Sequence, residues 1–358
     1  MPKTIGRYDS PLARALPSRS VVPKLRSSRR ERRGGVPATV IEMPERPETR
    51  FIWNDDVSLA YQVLGTGTPD LLYLQGWVSN IELSWDHPVM ARFLRGLARN
   101  RRLVMHDVRG MGVSERASPY DVWPLETVME DLVVLLDEIG IERTAILATN
   151  EDAIVACMFA ATYPERTHGL ILFETAANLL WSPETPWEWT EERWEKQEEE
   201  FREPWTRAKA VADVRDQAPS MSDDAGYIEW WYRYGLLSQG GGHAIASTRK
   251  YMRTDVRGIL PSIHVPVLVL IRPGHPEESW VDSGRFLAGC IPGAAVRELP
   301  GRDAFVWLGD QIATHLAIDE FLEEIRQEQV ELDRVLATVL FTDLVGSTER
   351  AASMGDRG

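Results

Sequence analysis

Residues 125–148 read LETVMEDLVVLLDEIGIERTAILA, and they place an amphipathic helix directly before an apolar strand. Apolar side chains recur at helical spacing over the first fifteen residues, at Val128, Leu132, Leu135, Leu136 and Ile139. Gly140 ends this pattern, as glycine commonly does just after a helix. The apolar run Thr144–Leu147 then follows. A short continuous run of this kind is typical of a strand covered on both faces. The stretch therefore predicts one helix–strand unit of an α/β fold.

The same alternation of apolar runs and helical patterns extends along the chain. Further runs are Leu71–Leu74, Leu103–His106, Gly169–Phe173 and Val265–Ile271. Alternating strands and helices predict a mostly parallel, doubly wound sheet. Residues 175–260 interrupt the rhythm with an acidic, helix-prone stretch and seven of the thirteen tryptophans. We expect a helical lid there, whose tryptophans either form its own core or line a ligand pocket.

Composition limits the classes of protein that the chain can represent. With 44% hydrophobic and 26% charged residues among 358, it is neither fibrous nor wholly disordered. The two cysteines suit a reducing compartment, so a cytoplasmic location is expected. The sequence has no run of about 18 apolar residues, so it predicts no membrane-spanning helix.

Charge is distributed unevenly along the chain. The net charge of −14 argues against nucleic-acid binding as its main role. Residues 1–36 alone carry a net +8, which leaves −22 for the rest. Residues 1–37 are predicted to form a disordered basic tail, either a solvated extension or an arm for an acidic surface or nucleic acid.

Three segments resemble the α/β-hydrolase family. Leu74-Gln75-Gly76-Trp77 resembles the turn that carries an oxyanion-hole amide, and Asp107–Ser114 (DVRGMGVS) is similar to the D-x-R-G-x-G-x-S loop. Ala161–Arg166 (ATYPER) resembles the end of the helix that follows the nucleophile. The resemblance implies an α/β-hydrolase-like domain over residues 40–325 with its lid at about 175–260. It also implies an oxyanion-type turn at Gln75 and Gly76.

The catalytic residues of that family do not match this sequence. The family presents a serine within G-x-S-x-G at a strained strand-to-helix turn, and Asn150 occupies the serine position here. His275 stands where the resemblance places the acid, and Ala304 stands where it places the base. Since an amide is not a nucleophile for acyl transfer, the resemblance implies a degenerate triad.

The sequence offers two substitutes for the triad. In the first, Thr149 is the nucleophile, His275 its base and Asp303 the orienting acid. In the second, Glu174, at the end of a strand, replaces the acid, although no base for it to serve is evident in the sequence. The seven histidines show no spacing typical of a zinc site.

The C-terminal part of the sequence has a different character. Apolar residues spaced by three, four and seven predict an amphipathic helical connector over residues 316–336. Residues 337–358 (ATVLFTDLVGSTERAASMGDRG) resemble the start of a class III adenylate/guanylate cyclase domain. The resemblance implies metal binding by Asp343 and the Leu344 backbone, and nucleotide binding by Gly346, Ser347 and Thr348. Mg or Mn is expected only in a complete cyclase domain, and this segment looks truncated.

Together these features predict a catalytically silent, ligand-binding or regulatory module of a cyclase-type signalling protein. The expected partners are a second copy of the chain in a homodimer and a small apolar or acyl ligand under the lid. No cofactor is expected for the hydrolase-like domain. Two alternatives stay open: an active, esterase-like hydrolase with a non-standard nucleophile, and a non-enzymatic interaction scaffold.

Overall fold

A central β-sheet organises the part of the chain that the computed structural model describes, residues 46–76, 78–116 and 123–328. Its eight strands in these ranges are β1 (Arg50–Asn54), β2 (Val57–Leu64), β3 (Leu71–Leu74), β4 (Leu103–His106), β5 (Thr144–Thr149), β6 (Thr167–Phe173), β7 (Val267–Ile271) and β8 (Ala295–Glu298). They lie in the order β1-β2-β4-β3-β5-β6-β7-β8. Strand β2 pairs antiparallel with both β1 and β4. All the other neighbouring strands in this order pair parallel. The predicted tail and the segment 337–358 lie outside the described residues.

Helices cover both faces of the sheet. They are α1 (Pro88–Leu97), α2 (Leu125–Ile139), α3 (Asp152–Thr162), α4 (Glu191–Arg202), α5 (Arg207–Gln217), α6 (Ala225–Ser238), α7 (Gly241–Met252), α8 (Ser279–Cys290) and α9, which is described over 311–328. The buried side chains of α2, α3 and α8 belong to one apolar cluster, and those of α1 and α9 belong to the cluster on the opposite face. Two apolar faces covered in this way explain why the central strands are fully buried. Within the described ranges, no helix is long and apolar enough to cross a membrane.

The lid consists of α4 to α7, which are inserted between β6 and β7. Its tryptophans divide between the two expected roles. Trp230 and Trp231 on α6 are almost fully buried in the apolar cluster that also holds α1. Trp194 on α4 is also buried, whereas Trp181 is 52% exposed. Part of the tryptophan set therefore forms core, as an aromatic-rich lid requires.

Helix α9 uses its apolar stripe within the domain. Ile318, Phe321, Leu322 and Ile325 are buried against the sheet. A Cβ added at Gly169 on β6 would lie 2.7 Å from Ile325 Cδ1, so the helix packs directly on the strand. The apolar side chains predicted to form a connector over 316–336 therefore pack on the sheet as far as Ile325. Packing there removes their apolar surface from water, which is favourable. Residues 329–336 lie outside the described part.

The D-x-R-G-x-G-x-S loop after β4 has a structural role. The Asp107 carboxylate accepts hydrogen bonds from the main-chain N–H groups of Ile81, at 3.0 Å, and Val113, at 2.8 Å. Arg109 forms a buried ion pair with Asp131 on α2. Gly112 has a φ of +54°, and a Cβ there would overlap the Asp107 carboxyl group. The motif therefore fixes this loop below the lid rather than supplying a reacting group.

Candidate functional site

Three neighbouring strands bring the candidate site together. Strands β5, β6 and β7 are parallel, with Thr149 paired to Phe173 and Phe173 paired to Leu270. The residues that follow them consequently reach the same edge of the sheet, where α/β folds commonly bind ligands. Asn150 follows β5 and Glu174 follows β6.

The turn from β5 into α3 is the place where the resemblance puts the nucleophile. Asn150 has a φ of +52°, a left-handed conformation that asparagine tolerates better than most residues. Gly76 packs under the turn, where a Cβ would stand 2.7 Å from the Thr149 carbonyl oxygen. The Asp152 carboxylate replaces an elbow glycine, and it accepts hydrogen bonds at 3.0 Å from both the Gly76 N–H and the Tyr251 hydroxyl. These contacts hold the turn without the two glycines.

Glu174 and His275 form a buried pair beside this turn. His275 Nε2 lies 3.1 Å from Glu174 Oε1, and the side chains are 1% and 3% exposed. The Asn150 amide donates a longer hydrogen bond, of 3.5 Å, to Glu174 Oε2. Glu174 also has a φ of +50°, a strained conformation for a residue that is neither glycine nor asparagine. The structure therefore joins two residues that the sequence had assigned to separate schemes.

The electrostatics of the pair follow from burial and mutual charge. Burial raises the pKa of Glu174, while His275 and Arg272 act in the opposite direction. For His275, burial lowers the pKa, but the hydrogen bond and charge of Glu174 outweigh it, so the pKa of the imidazole is raised overall. His275 Nδ1 lies 2.8 Å from the Glu277 carbonyl oxygen and 2.9 Å from the Glu277 N–H, which donates a hydrogen bond to it. Burial is the largest of the effects on Glu174, so the pKa of its carboxyl is raised overall as well.

The first substitute triad is not assembled by these contacts. The Thr149 hydroxyl donates to the Leu74 carbonyl at 3.4 Å, and Asp303 accepts from the Ser220 N–H at 2.9 Å. His275 is engaged by Glu174. Hydrogen bonds among the described residues thus hold Thr149 and Asp303 in other places.

The predicted oxyanion turn is also occupied by internal contacts. Gln75 accepts a hydrogen bond of 2.9 Å from the Tyr234 hydroxyl of the lid. The Gly76 N–H is taken by Asp152. Trp77, whose amide follows in this turn, lies outside the described residues. The Gln75 side-chain N–H₂ group, in contrast, is buried and has no hydrogen-bond partner among the described residues.

A cavity of about 220 Å³ opens between the sheet edge and the lid. Asn150, Glu151, Glu174 and Ala304 line its floor, so the predicted base position faces the ligand space with a methyl group. Its other walls are aromatic and include Trp189, Trp194, Trp280, Phe201 and Phe305. A second cavity of about 830 Å³ lies among the lid helices and shares Gln197, Phe201 and Asp213 with the first. The two cavities are therefore adjacent, with these three side chains in the wall of each.

Sequence reasoning considered Glu174 but found no base for it to serve. Its partner, His275, lies about a hundred residues further along the chain, beyond the whole lid. The missing signal was the strand order, which places the end of β6 beside the end of β7. In the described part, no group of three or more His, Cys, Asp or Glu side chains is arranged to hold a metal ion. The predicted cyclase ligands, from Asp343 to Thr348, lie outside that part.

Comparisons with known proteins agree with this architecture. A family model for the alpha/beta hydrolase fold matches residues 69–226. The structure is similar to that of a hydrolase from Pseudomonas aeruginosa PA01, with a TM-score of 0.62 and 24% identity, over 76% of this chain and 98% of that one. The predicted α/β-hydrolase fold with its mostly parallel sheet is therefore confirmed.

Curated relatives add more distant likenesses in sequence. The chain is 25% identical to 3-oxoadipate enol-lactonase 2 of Acinetobacter baylyi over 65% of its own length and 81% of that protein. It is 26% identical to epoxide hydrolase 2 of Siraitia grosvenorii, but over 36% of this chain and 38% of that protein. These matches concern the hydrolase fold and lend no support to the predicted cyclase segment.

Proposed function

Because the chain has the α/β-hydrolase fold, we propose that it hydrolyses a small ester or lactone under the lid, with Glu174 as general base. The observation that carries the proposal is the Glu174–His275 pair, whose carboxylate faces the cavity beside the elbow. This corresponds to the alternative of a non-standard active hydrolase. The likeness to an enol-lactonase supports the class of substrate.

The proposed reaction uses water in place of a protein nucleophile. Glu174 removes a proton from a water molecule, and the oxygen of that water forms a bond to the acyl carbon. The carbon–oxygen bond to the leaving group then breaks, and the same proton passes from Glu174 to the departing alkoxide. Asn150 can donate the second hydrogen of its amide to the acyl oxygen, where negative charge develops.

His275 is a positioning residue in this scheme. It holds the Glu174 carboxylate in place and opposes the rise in its pKa that burial causes. Glu174 acts as a base only when ionised. Without His275, its pKa rises, and the acid limb of the pH–rate profile moves to higher pH.

Hydrolysis of acyl-nitrophenyl esters and small lactones by the full chain tests the proposal. We expect Glu174→Gln to lower kcat/KM by about 100-fold, the lower end of what a general base contributes. The matched control is Glu199→Gln on the exposed surface of α4, which should leave the rate unchanged. His275→Gln should shift the acid limb upward. Equal rates for Glu174→Gln and the wild type would refute Glu174 as the base.

A ligand-binding module without hydrolysis is the second candidate, favoured by Asn150 and Ala304 at the positions of nucleophile and base. In that case, ligands bind in the cavity and no ester or lactone is turned over by the purified chain. Its place in cyclase-type signalling rests on residues 337–358 alone, and the homodimer and the cytoplasmic location remain proposals. Sedimentation of the full chain tests the dimer.

A further inference from the structure

Two carboxylates on the wall of the cavity lack a positive partner. Glu174 is paired with His275, but no ion pair among the described residues joins Glu151 or Asp213 to a lysine, arginine or histidine. The Oε2 atom of Glu151 is buried and has no hydrogen-bond partner in that part of the chain. Asp213 is half-buried and accepts a hydrogen bond of 2.6 Å from the Trp231 indole N–H, a neutral donor.

Aromatic rings surround the same space. Trp189, Trp194 and Trp280 line the cavity together with Phe201 and Phe305. The faces of such rings attract cations, most strongly for tryptophan. Arg193 already stacks 3.9 Å from the Trp189 ring centroid on the lid, which shows that this indole can hold a cation.

We propose that the cavity binds a small organic ammonium ion, with Glu151 and Asp213 supplying the opposite charge and the indoles the contact surface. When both half-buried carboxylates are ionised, a neutral ligand would leave them without a positive partner, which costs free energy. A cation removes this cost and gains the ring contacts. This proposal rests on the proposed function, because the ester that is hydrolysed would carry the cationic group. Glu174 is then free to act as the base.

The ionisation of Glu151 and Asp213 makes cation binding depend on pH. Burial raises the pKa of Glu151 to about 7 and that of Asp213 to about 6. A permanent cation should therefore bind more tightly at pH 8 than at pH 6, because both carboxylates must be ionised. The titratable groups that face these two carboxylates or their neighbour Glu174 include Asp152, Asp216, His275, Arg272, Tyr227 and Tyr251.

Choline and its neutral isostere 3,3-dimethylbutan-1-ol form the matched pair of probes. Binding to the full chain is measured by calorimetry at pH 8. We expect choline to bind at least about tenfold more tightly than the alcohol, a difference of about 1.4 kcal/mol. Glu151→Gln should weaken choline binding by about tenfold, whereas the equally charged change Glu199→Gln should not affect it.

Asp213→Asn is the second variant. It tests the role of the carboxylates in choline binding if the Glu151→Gln variant does not fold. Equal affinity for choline and the alcohol, or unaltered choline binding in both cavity variants, would overturn the proposal. Choline is not an ester, so its binding is independent of turnover. Choline binding without hydrolysis of any ester would contradict the proposed function alone, and hydrolysis without preference for the cation would contradict this inference alone.

Discussion

Replacing His275 by glutamine tests the electrostatics of the site through stability rather than activity. The variant keeps a side chain able to donate a hydrogen bond but removes the positive charge 3.1 Å from Glu174. Removing one charge of a buried ion pair costs about 3–5 kcal/mol. We therefore expect the free energy of unfolding to fall by about that amount near pH 6.5, where the imidazole is protonated.

The pH dependence of this loss has a defined sign. The pKa of His275 is raised in the folded chain, so the pair's contribution is fully present below the unfolded pKa of about 6.5, provided that Glu174 is ionised. It is lost as pH rises through the folded pKa. The difference between variant and wild type should consequently be smaller at pH 9.5 than at pH 6.5.

Urea unfolding at the two pH values measures both quantities. His264→Gln is the matched control, because His264 is exposed and the structure gives it no ion pair among the described residues. That variant should unfold like the wild type. A loss for His275→Gln that is equal at both pH values would refute the charged pair and indicate a packing role for the ring.

Three further predictions concern the scaffold around the site. Gly76→Ala should destabilise the chain by about 1–3 kcal/mol in urea unfolding, because its φ is +86° and a Cβ would approach the Thr149 carbonyl oxygen; wild-type stability would contradict the close packing of the elbow. Asp131→Asn should cost about 3–5 kcal/mol, since it leaves the buried Arg109 charge without its partner, and a loss below about 1 kcal/mol would show that water reaches the pair. Cys157 is buried and its pKa is raised to about 12, so a thiol reagent at pH 8 should modify one cysteine in the native chain and two in urea; rapid modification of both in the native state would contradict its burial.

Periodicity was sufficient for the fold because each apolar run is covered by neighbouring helices. The runs at Leu71, Leu103 and Gly169 each became central strands, and Gly140 ends α2 in the left-handed conformation that such a stop requires. The lid was recognisable as a break in that alternation. The sequence could not distinguish the tryptophans that form the core of the lid from those that line the cavity. Burial of each ring depends on which helix packs over it.

The sequence by itself determined the fold class, because that depends on residue type and local spacing, whereas the altered triad at Asn150, His275 and Ala304 stays a prediction. The tertiary structure decided which residues meet. Glu174 and His275 come from strands separated by the lid, and they meet because β6 and β7 are parallel neighbours in the sheet. Their pKa shifts depend on this juxtaposition and on burial. The helix α9 stripe likewise had two possible partners, another helix or the sheet, and only packing selected the sheet.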